Sequence, residues 1–261
     1  MGNFITSIKV NHIFHLENFC IPISENEKKH LIITGKNGSG KTILLNAIVE
    51  HLSKVCNDKM LSFLDFKKYL ESNQAWLQQA ETTGDSKSIA SGQNNVEYYK
   101  NRIEEFYGKV ELSFHDIYSI PKDFLSQDFI IAYYADERKS LFVEPKNPVK
   151  PDLKMKTDLK HNKVDQFLNF MVDCKVQEAL ARNEGKTEDA DYIRQWFVGF
   201  RNILRQIFDD TTLELDFNYK DYSFLIQTRG KSFKFTELSA GYSAALDIVA
   251  DLILKMQSQN N

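Results

Sequence analysis

The stretch from Leu31 to Leu45 reads LIITGKNGSGKTILL. Its apolar start, Leu31–Ile33, leads into GKNGSGKT at Gly35–Thr42, which matches the pattern G-x-x-x-x-G-K-[ST] in full. An apolar segment, Ile43–Val49, follows without a break. This order predicts a buried strand, then a loop that wraps a polyphosphate, then a helix.

The residue types in this loop suit phosphate binding. Glycine has no Cβ and tolerates positive φ, so the backbone can turn its N–H groups toward a ligand and approach it closely. A helix beginning near Lys41 points the positive end of its dipole at the phosphates. We expect Lys41 to reach the β- and γ-phosphates of ATP and Thr42 to ligate Mg²⁺, and both to serve catalysis. The predicted nucleotide-binding residues are Gly35, Lys36, Asn37, Gly38, Ser39, Gly40, Lys41, Thr42 and Ile43.

Composition favours one large α/β domain, or one domain with an insertion, because the chain has 261 residues and 42% apolar content. A net charge of −3 gives no overall basic footprint for nucleic acid. Three well-separated cysteines without a C-x-x-C pair predict buried or half-buried free thiols in a reducing cytosol, and the six histidines show no zinc-ligand spacing. We find no apolar run of about 20 residues and no signal peptide, so we expect a cytoplasmic protein that makes no membrane contact.

The N-terminal residues 4–22 alternate apolar and polar side chains in two runs, which predicts two β segments. The first strands of nucleotide-binding folds of this kind pass close to the base. Phe14 and His15 are therefore candidates for stacking beside it. The alternative is that they are ordinary surface residues of a strand.

The middle of the chain alternates between helical and polar patterns. Residues 43–79 have apolar spacing that predicts helix, whereas the Ser-, Gly- and Asn-rich stretch 81–96 predicts a loop or a disordered segment. A short helix is predicted over Glu97–Phe106 and a strand over Lys109–Phe114.

A second buried strand is predicted at Phe129–Tyr134, which is an unbroken apolar run. Charged residues follow it at Asp136, Glu137 and Arg138. Ligands of open α/β sheets bind beyond the carboxyl ends of the strands, so these three residues are candidates for the nucleotide side of the site. An ordinary loop at the end of a strand is the alternative.

A local basic segment lies at residues 145–163, where three prolines favour an extended chain. It could contact DNA or RNA phosphates or an acidic partner, and a solvated loop is the alternative. Its lysines are Lys146, Lys150, Lys154, Lys156, Lys160 and Lys163.

The C-terminal half predicts a helical pair over residues 164–208, with a break at Asn183–Lys186 and an aromatic stripe used for packing. A three-stranded antiparallel meander is predicted over residues 213–235. The sequence LSAGY, Leu238–Tyr242, follows directly, and then an apolar helix that continues through Met256.

LSAGY resembles the L-S-x-G-x signature of ABC-type ATPases. Together with GKNGSGKT and the meander, most of the chain resembles the SMC/RecF branch, and within it the compact AAA-type ATPases of bacterial anti-phage defence systems (Septu- and OLD-like). The resemblance implies an α/β P-loop NTPase fold of the ABC/SMC-head type with an N-terminal antiparallel β segment. Residues 1–261 would form one ATPase domain, with 57–107 and 150–208 as helical insertions.

The same resemblance implies a site shared between two heads. Ser239 and the Gly241 N–H would bind the γ-phosphate held by the partner copy's Lys41, so that ATP joins a homodimer or a higher oligomer and hydrolysis releases it. The head would control an effector directed at nucleic acid, expected to be a nuclease, in anti-phage defence or DNA repair. The implied signature residues, acting on the second copy, are Leu238, Ser239, Ala240, Gly241 and Tyr242.

One departure from the family concerns turnover. The family has an apolar strand ending in Asp-Glu after the signature, and nothing after Met256 supplies it; the near match Ile131–Glu137 lies upstream. The resemblance thus implies a head that is incomplete at its C-terminus, as in a fragment or one half of a split ATPase. A nucleotide-binding switch or assembly module without hydrolysis is the main alternative. A transporter subunit fits the long insertion poorly, and a P-loop kinase leaves LSAGY unexplained.

Overall fold

The computed structural model describes residues 2–126, 128–134, 142–151, 153, 159 and 163–257, without the side chains of 58–60. The chain divides into two compact units. The first contains the described residues up to Ile131 together with Leu159, and the second contains the other described residues from Ala132 onward. Asp136, Glu137, Arg138, Lys154, Lys156 and Lys160 lie outside the described residues.

The first unit has a three-stranded antiparallel sheet in the order β2-β1-β3. Its strands are β1 (Ile5–Ile13), β2 (Leu16–Pro22) and β3 (Val110–Phe114). Val10 lies opposite both Phe19 of β2 and Val110 of β3, and Val10 is fully buried. The alternation of side chains in residues 4–22 and 109–114 therefore predicted these strands correctly.

Four helices complete the described part of the first unit: α1 (Lys41–Val55), α2 (Phe66–Thr83), α3 (Ser86–Tyr107) and α4 (Ile120–Leu125). Helix α1 buries Leu44, Ile48 and Leu52, one turn apart. The prediction of continuous helix over 43–79 is wrong at Cys56–Asn57, where α1 ends before a 3₁₀ turn at Asp58–Asp65. Residues 58–107 are thus almost wholly helical, and their status as an insertion stays a prediction.

The prediction of a loop at 81–96 is wrong, because α3 begins at Ser86 and runs for 22 residues through the predicted short helix at 97–106. Asp85 caps it, accepting hydrogen bonds from the Lys87 N–H at 3.2 Å and the Ser88 hydroxyl at 2.5 Å. Gly92 allows the two helices to pack closely, since a Cβ there would lie 3.0 Å from Leu77 Cδ1. Packing against α2 and the cap outweigh the weak helix propensity of Ser, Gly and Asn.

The two predicted buried strands, Leu31–Ile33 and Phe129–Tyr134, are not strands in the structure. Leu31 is 41% exposed and Ile32 is 84% exposed. Within the described parts of the chain, Leu31–Ile33 has no backbone hydrogen bond. An apolar run indicates the preference for a strand but does not supply the neighbour that a strand must pair with. Leu31–Ile33 and Phe129–Ile130 instead line one cavity of about 800 Å³ in the first unit.

The second unit combines a helical pair, an antiparallel meander and a long C-terminal helix, as the sequence predicts. Its elements are α5 (Phe167–Asn183), α6 (Thr187–Phe208), β4 (Glu214–Asn218), β5 (Ser223–Thr228), β6 (Lys231–Lys234) and α7 (Ala240–Gln257). The sheet order is β4-β5-β6. The predicted break at 183–186 falls between α5 and α6.

One hydrophobic core holds the second unit together, and the aromatic stripe of α6 belongs to it. Trp196 packs edge-on against Phe170, with ring centroids 5.3 Å apart, and stacks on Phe200 at 5.6 Å. The most deeply buried members include Phe167, Met171, Leu204, Leu213, Phe224, Ile226, Phe235, Leu246 and Ala250. Among the described residues, no helix has the length and apolar character needed to cross a membrane.

Asp209 occupies a position at the end of α6 that suits glycine. Its φ is 49° and its ψ is 49°, in the left-handed region, and its carboxylate lies at the negative end of the helix dipole. We expect Asp209→Gly to raise the free energy of unfolding by about 0.5–1 kcal/mol. Gly185, after α5, already has glycine at a left-handed position, with a φ of 73°. Gly185→Ala should therefore lower the free energy of unfolding by about 1 kcal/mol. Urea denaturation of both variants checks the pair; a loss of stability in Asp209→Gly would contradict the argument.

Candidate nucleotide site

The loop before α1 has the backbone geometry of an anion-binding turn. Gly38 and Gly40 lie in the left-handed region, with φ of 79° and 88°. Gly35 does not have positive φ, contrary to expectation, and its small size matters for another reason: a Cβ there would lie 2.8 Å from Ser39 Oγ. Gly38 and Gly40 are therefore suited to glycine by their backbone conformation, and Gly35 by the lack of space for a side chain.

Lys41 is folded back over the loop that precedes it. Its Nζ donates to the carbonyl oxygens of Gly35 at 2.7 Å and Lys36 at 2.8 Å, and to Ser39 Oγ at 3.4 Å. The ammonium group therefore lies inside the curve of the loop, at the place where the sequence predicts a phosphate.

The N-terminus of α1 opens onto the same loop. The cap residue is Gly40, which has no side chain to accept from the first-turn N–H groups, and the first turn has no acidic residue. Thr42 lies in this turn and is exposed. An uncapped helix end with a nearby lysine is a favourable environment for an anion, and the Thr42 hydroxyl is accessible to a cation that accompanies it.

The turn between β1 and β2 lies beside the loop. A Cβ built on Gly40 would be 3.6 Å from Leu16 Cδ1, so the first residue of β2 is in contact range of the phosphate-loop candidate. Phe14 and His15 form that turn, with ring centroids 5.2 Å apart, and Phe14 is 69% exposed. The structure thus brings these two predicted base-side residues to the neighbourhood of Gly40.

Histidine 51, on the core face of α1, is a structural residue. Its ring lies 5.4 Å from that of Phe106 and 5.7 Å from that of Tyr107. Burial, with a smaller contribution from the charge of Lys54, lowers the pKa of His51 to about 4. The imidazole is therefore neutral at physiological pH and is packed away from the loop's open side.

The LSAGY sequence forms the start of α7 in the second unit. Leu238 is extended, and the Ser239 carbonyl accepts from the Ser243 N–H at 2.9 Å, so Ser239 is the residue at which the helix begins. Ser239, Ala240 and Gly241 are exposed. The first turn of this helix is therefore accessible and is formed by small residues.

A cavity beside Ser239, which we call the Ser239 pocket, was not expected from the sequence. It measures about 310 Å³ and is lined by Phe208, Thr228, Arg229, Lys231, Phe233, Glu237, Leu238, Ser239 and Tyr242. The LSAGY residues and the meander were predicted as separate features, and no sequence pattern indicated a pocket between them. Its lining comes from the end of α6, the β5–β6 hairpin and the segment that leads into α7, which only folding brings together.

The buried face of α7 carries a polar stripe that was not predicted from the sequence. Ser243, Asp247 and Asp251 follow one another at intervals of four residues, and all three are buried. The Asp251 carboxylate accepts from the Tyr134 hydroxyl at 2.9 Å and from the Lys255 ammonium group. These partners explain how Asp251 is accommodated in the core.

The predicted basic segment is described only in part. Lys146 and Lys150 are exposed, and Lys163 precedes the buried Val164.

Cys20 is exposed, which corrects the expectation that all three thiols are buried or half-buried; Cys56 is buried. Cys20 is therefore open to chemical labelling.

Comparison with protein-family models, with curated proteins and with solved structures finds no match to this chain.

Proposed function

We propose that this chain is an ABC/SMC-like P-loop NTPase head that binds ATP and Mg²⁺ at Gly35–Thr42. The observation that carries the proposal is the position of Lys41, whose ammonium group donates to the carbonyls of Gly35 and Lys36 in a loop that also has two left-handed glycines and ends at an uncapped helix N-terminus. Three independent features of one loop thus favour the same ligand, a polyphosphate.

In the bound state, Lys41 exchanges the carbonyls of Gly35 and Lys36 for phosphate oxygens. The N–H groups of the first turn of α1 donate to the same phosphates, and Thr42 ligates Mg²⁺. Phe14 and His15, in the turn beside Gly40, contact the base.

Two copies close around the nucleotide in this proposal, and Ser239 of each copy binds the γ-phosphate held by the other. The exposure of Ser239–Gly241 at the start of α7 supports it, because a second molecule can approach this helix end closely. The closed dimer then acts on an effector directed at nucleic acid, and we propose that this effector is a nuclease. The exposed Lys146 and Lys150 are available to DNA or RNA phosphates.

Turnover separates an ATPase from the alternative, a nucleotide-dependent switch without hydrolysis. Both bind ATP and both dimerise. Phosphate release by the chain with Mg²⁺ and ATP distinguishes them: turnover that Lys41→Ala abolishes identifies an ATPase, and binding without release identifies the switch.

Removing the Lys41 ammonium group tests the proposal directly. We expect Lys41→Ala to weaken Mg²⁺–ATP binding at least about 100-fold, because two charge-assisted hydrogen bonds to phosphate are lost. Titration calorimetry measures the affinity. Lys100→Ala is the matched control, since it removes the same charge from an exposed position on α3, outside the loop, and should leave the affinity nearly unchanged. Equal affinities for wild type and Lys41→Ala, in variants with wild-type circular dichroism, would refute the proposed site.

A further inference from the structure

The Ser239 pocket has an aromatic floor. The Tyr242 ring stacks on Phe208 with centroids 4.3 Å apart and planes 10° from parallel, and Phe233 lies 5.9 Å from Phe208. Tyr242 remains 39% exposed although it is packed. The floor is therefore held in place and still accessible to a ligand.

The rim of the pocket is cationic and comes from the turn between β5 and β6. Arg229 and Gly230 have φ of 49° and 74°, the left-handed pair of a two-residue hairpin turn that matches the twist of its strands. Lys231 and Phe233 alternate along β6, so both reach the same side of the sheet. The hairpin thus fixes the bases of both cationic side chains.

Neither cation is neutralised by a carboxylate contact among the described residues. Arg229 Nη2 donates to the Asp209 carbonyl at 2.8 Å, which orients the guanidinium and leaves its other N–H groups available. Lys231 is exposed, and no ion pair involves it in the described part of the chain.

The acidic groups near the rim are engaged elsewhere. Glu237 lines the pocket, but its carboxylate accepts from the Lys234 N–H at 2.8 Å. Asp210 accepts from the hydroxyls of Thr228 and of Thr212, the latter at 2.7 Å, and these bonds, with a smaller effect of Arg229, lower the pKa of Asp210 to about 2. Asp210 stays ionised but does not line the pocket, whose charged lining residues are Arg229, Lys231 and Glu237. The two cations outnumber the one carboxylate, so the lining has a net positive charge beside the exposed Ser239, which suits a phosphorylated ligand.

We propose that the Ser239 pocket of one copy receives the ATP held by the phosphate loop of a second copy, with Arg229 and Lys231 contacting its phosphates beside Ser239. The inference rests on the proposed function, and it adds two charged groups to a site otherwise formed by a hydroxyl and a helix end. Charged donors bind phosphate more strongly than a neutral hydroxyl does. Arg229 and Lys231 thus strengthen the attraction between the two copies and the shared nucleotide.

The double variant Arg229→Ala/Lys231→Ala tests this role. Each single copy should bind Mg²⁺–ATP within about twofold of wild type, whereas ATP-driven dimerisation should weaken at least about tenfold, since two charged contacts are lost only in the dimer. Sedimentation velocity with the slowly hydrolysed analogue ATPγS measures dimerisation. Lys220→Ala is the matched control, because Lys220 is an exposed lysine at the other end of β5, away from the pocket, and should behave as wild type.

Mixing two defective chains shows whether the contact is made between copies. The Lys41→Ala chain keeps an intact Ser239 pocket but does not bind ATP. The double variant binds ATP at its phosphate loop but has a defective pocket. A mixture should therefore form one complete site and dimerise where neither chain does so alone. Energy transfer between dyes attached to the exposed Cys20 of each chain detects the mixed dimer.

The outcomes separate this inference from the function on which it rests. Wild-type dimerisation by the double variant, or mixtures that do not associate, would overturn the role of the pocket and leave ATP-driven dimerisation standing. A double variant that loses Mg²⁺–ATP affinity as a single copy would also overturn it, because the cations would then act within their own chain. Failure of wild type to dimerise with ATPγS would overturn both proposals.

Discussion

Arginine in place of Ser239 should abolish ATP-driven dimerisation and leave each copy able to bind Mg²⁺–ATP. Ser239 is exposed at the start of α7, where a phosphate bound by the second copy must approach the helix within hydrogen-bonding distance. A long side chain fills that space and keeps the phosphate away from the N–H groups of the first turn of α7. We expect at least about a 100-fold loss of dimer affinity by sedimentation velocity with ATPγS.

The opposite face of β6 provides the control for this variant. Ser232 is exposed between Lys231 and Phe233, and it does not line the Ser239 pocket. Ser232→Arg introduces the same side chain nearby and should dimerise as wild type does. Retained dimerisation in Ser239→Arg would show that the start of α7 does not meet the nucleotide of a second copy.

Truncating Phe235 should cause the largest loss of stability among the changes considered. Its side chain is fully buried, with its ring centroid 5.4 Å from that of Phe142 and 6.4 Å from that of Phe200. Phe235→Ala removes these contacts and leaves a cavity, which costs about 3–5 kcal/mol. Urea denaturation followed by the fluorescence of Trp196, which stacks on Phe200, measures unfolding of the second unit.

Two choices make the measurement specific. Trp76, in the first unit, is replaced by Phe in all chains so that Trp196 is the remaining tryptophan. Phe217, half-buried on β4 and 4.8 Å from Phe224, is the graded control, and Phe217→Ala should cost about half as much. A loss below about 1 kcal/mol for Phe235→Ala would mean that the core closes around the missing ring.

Local signals predicted most elements of this fold. Alternation at Ile5–Val10 and along the meander, and the spacing of apolar residues in α6, record which side of an element meets the core, so they can be read without a structure. The left-handed conformation of Gly38 and Gly40 and the start of α1 at Lys41 were predictable for the same reason, since they depend on the local sequence.

The errors occurred where the outcome depends on distant parts of the chain. Leu31–Ile33 has the composition of a strand but lacks a hydrogen-bonded neighbour in the described residues, whereas 86–96 has a loop-like composition and becomes helix by packing against α2. The Ser239 pocket forms where α6, β6 and α7 meet, so no sequence pattern indicated that Arg229 and Lys231 lie beside Ser239. Sequence patterns contain little information about such pairings.

Lys41 has a further consequence for how tightly a nucleotide can bind. Because its ammonium donates to the carbonyl oxygens of Gly35 and Lys36, a nucleotide bound as we propose would have to displace both oxygens before it contacts the lysine. Binding is then an exchange of partners whose net free energy is a difference between two sets of hydrogen bonds.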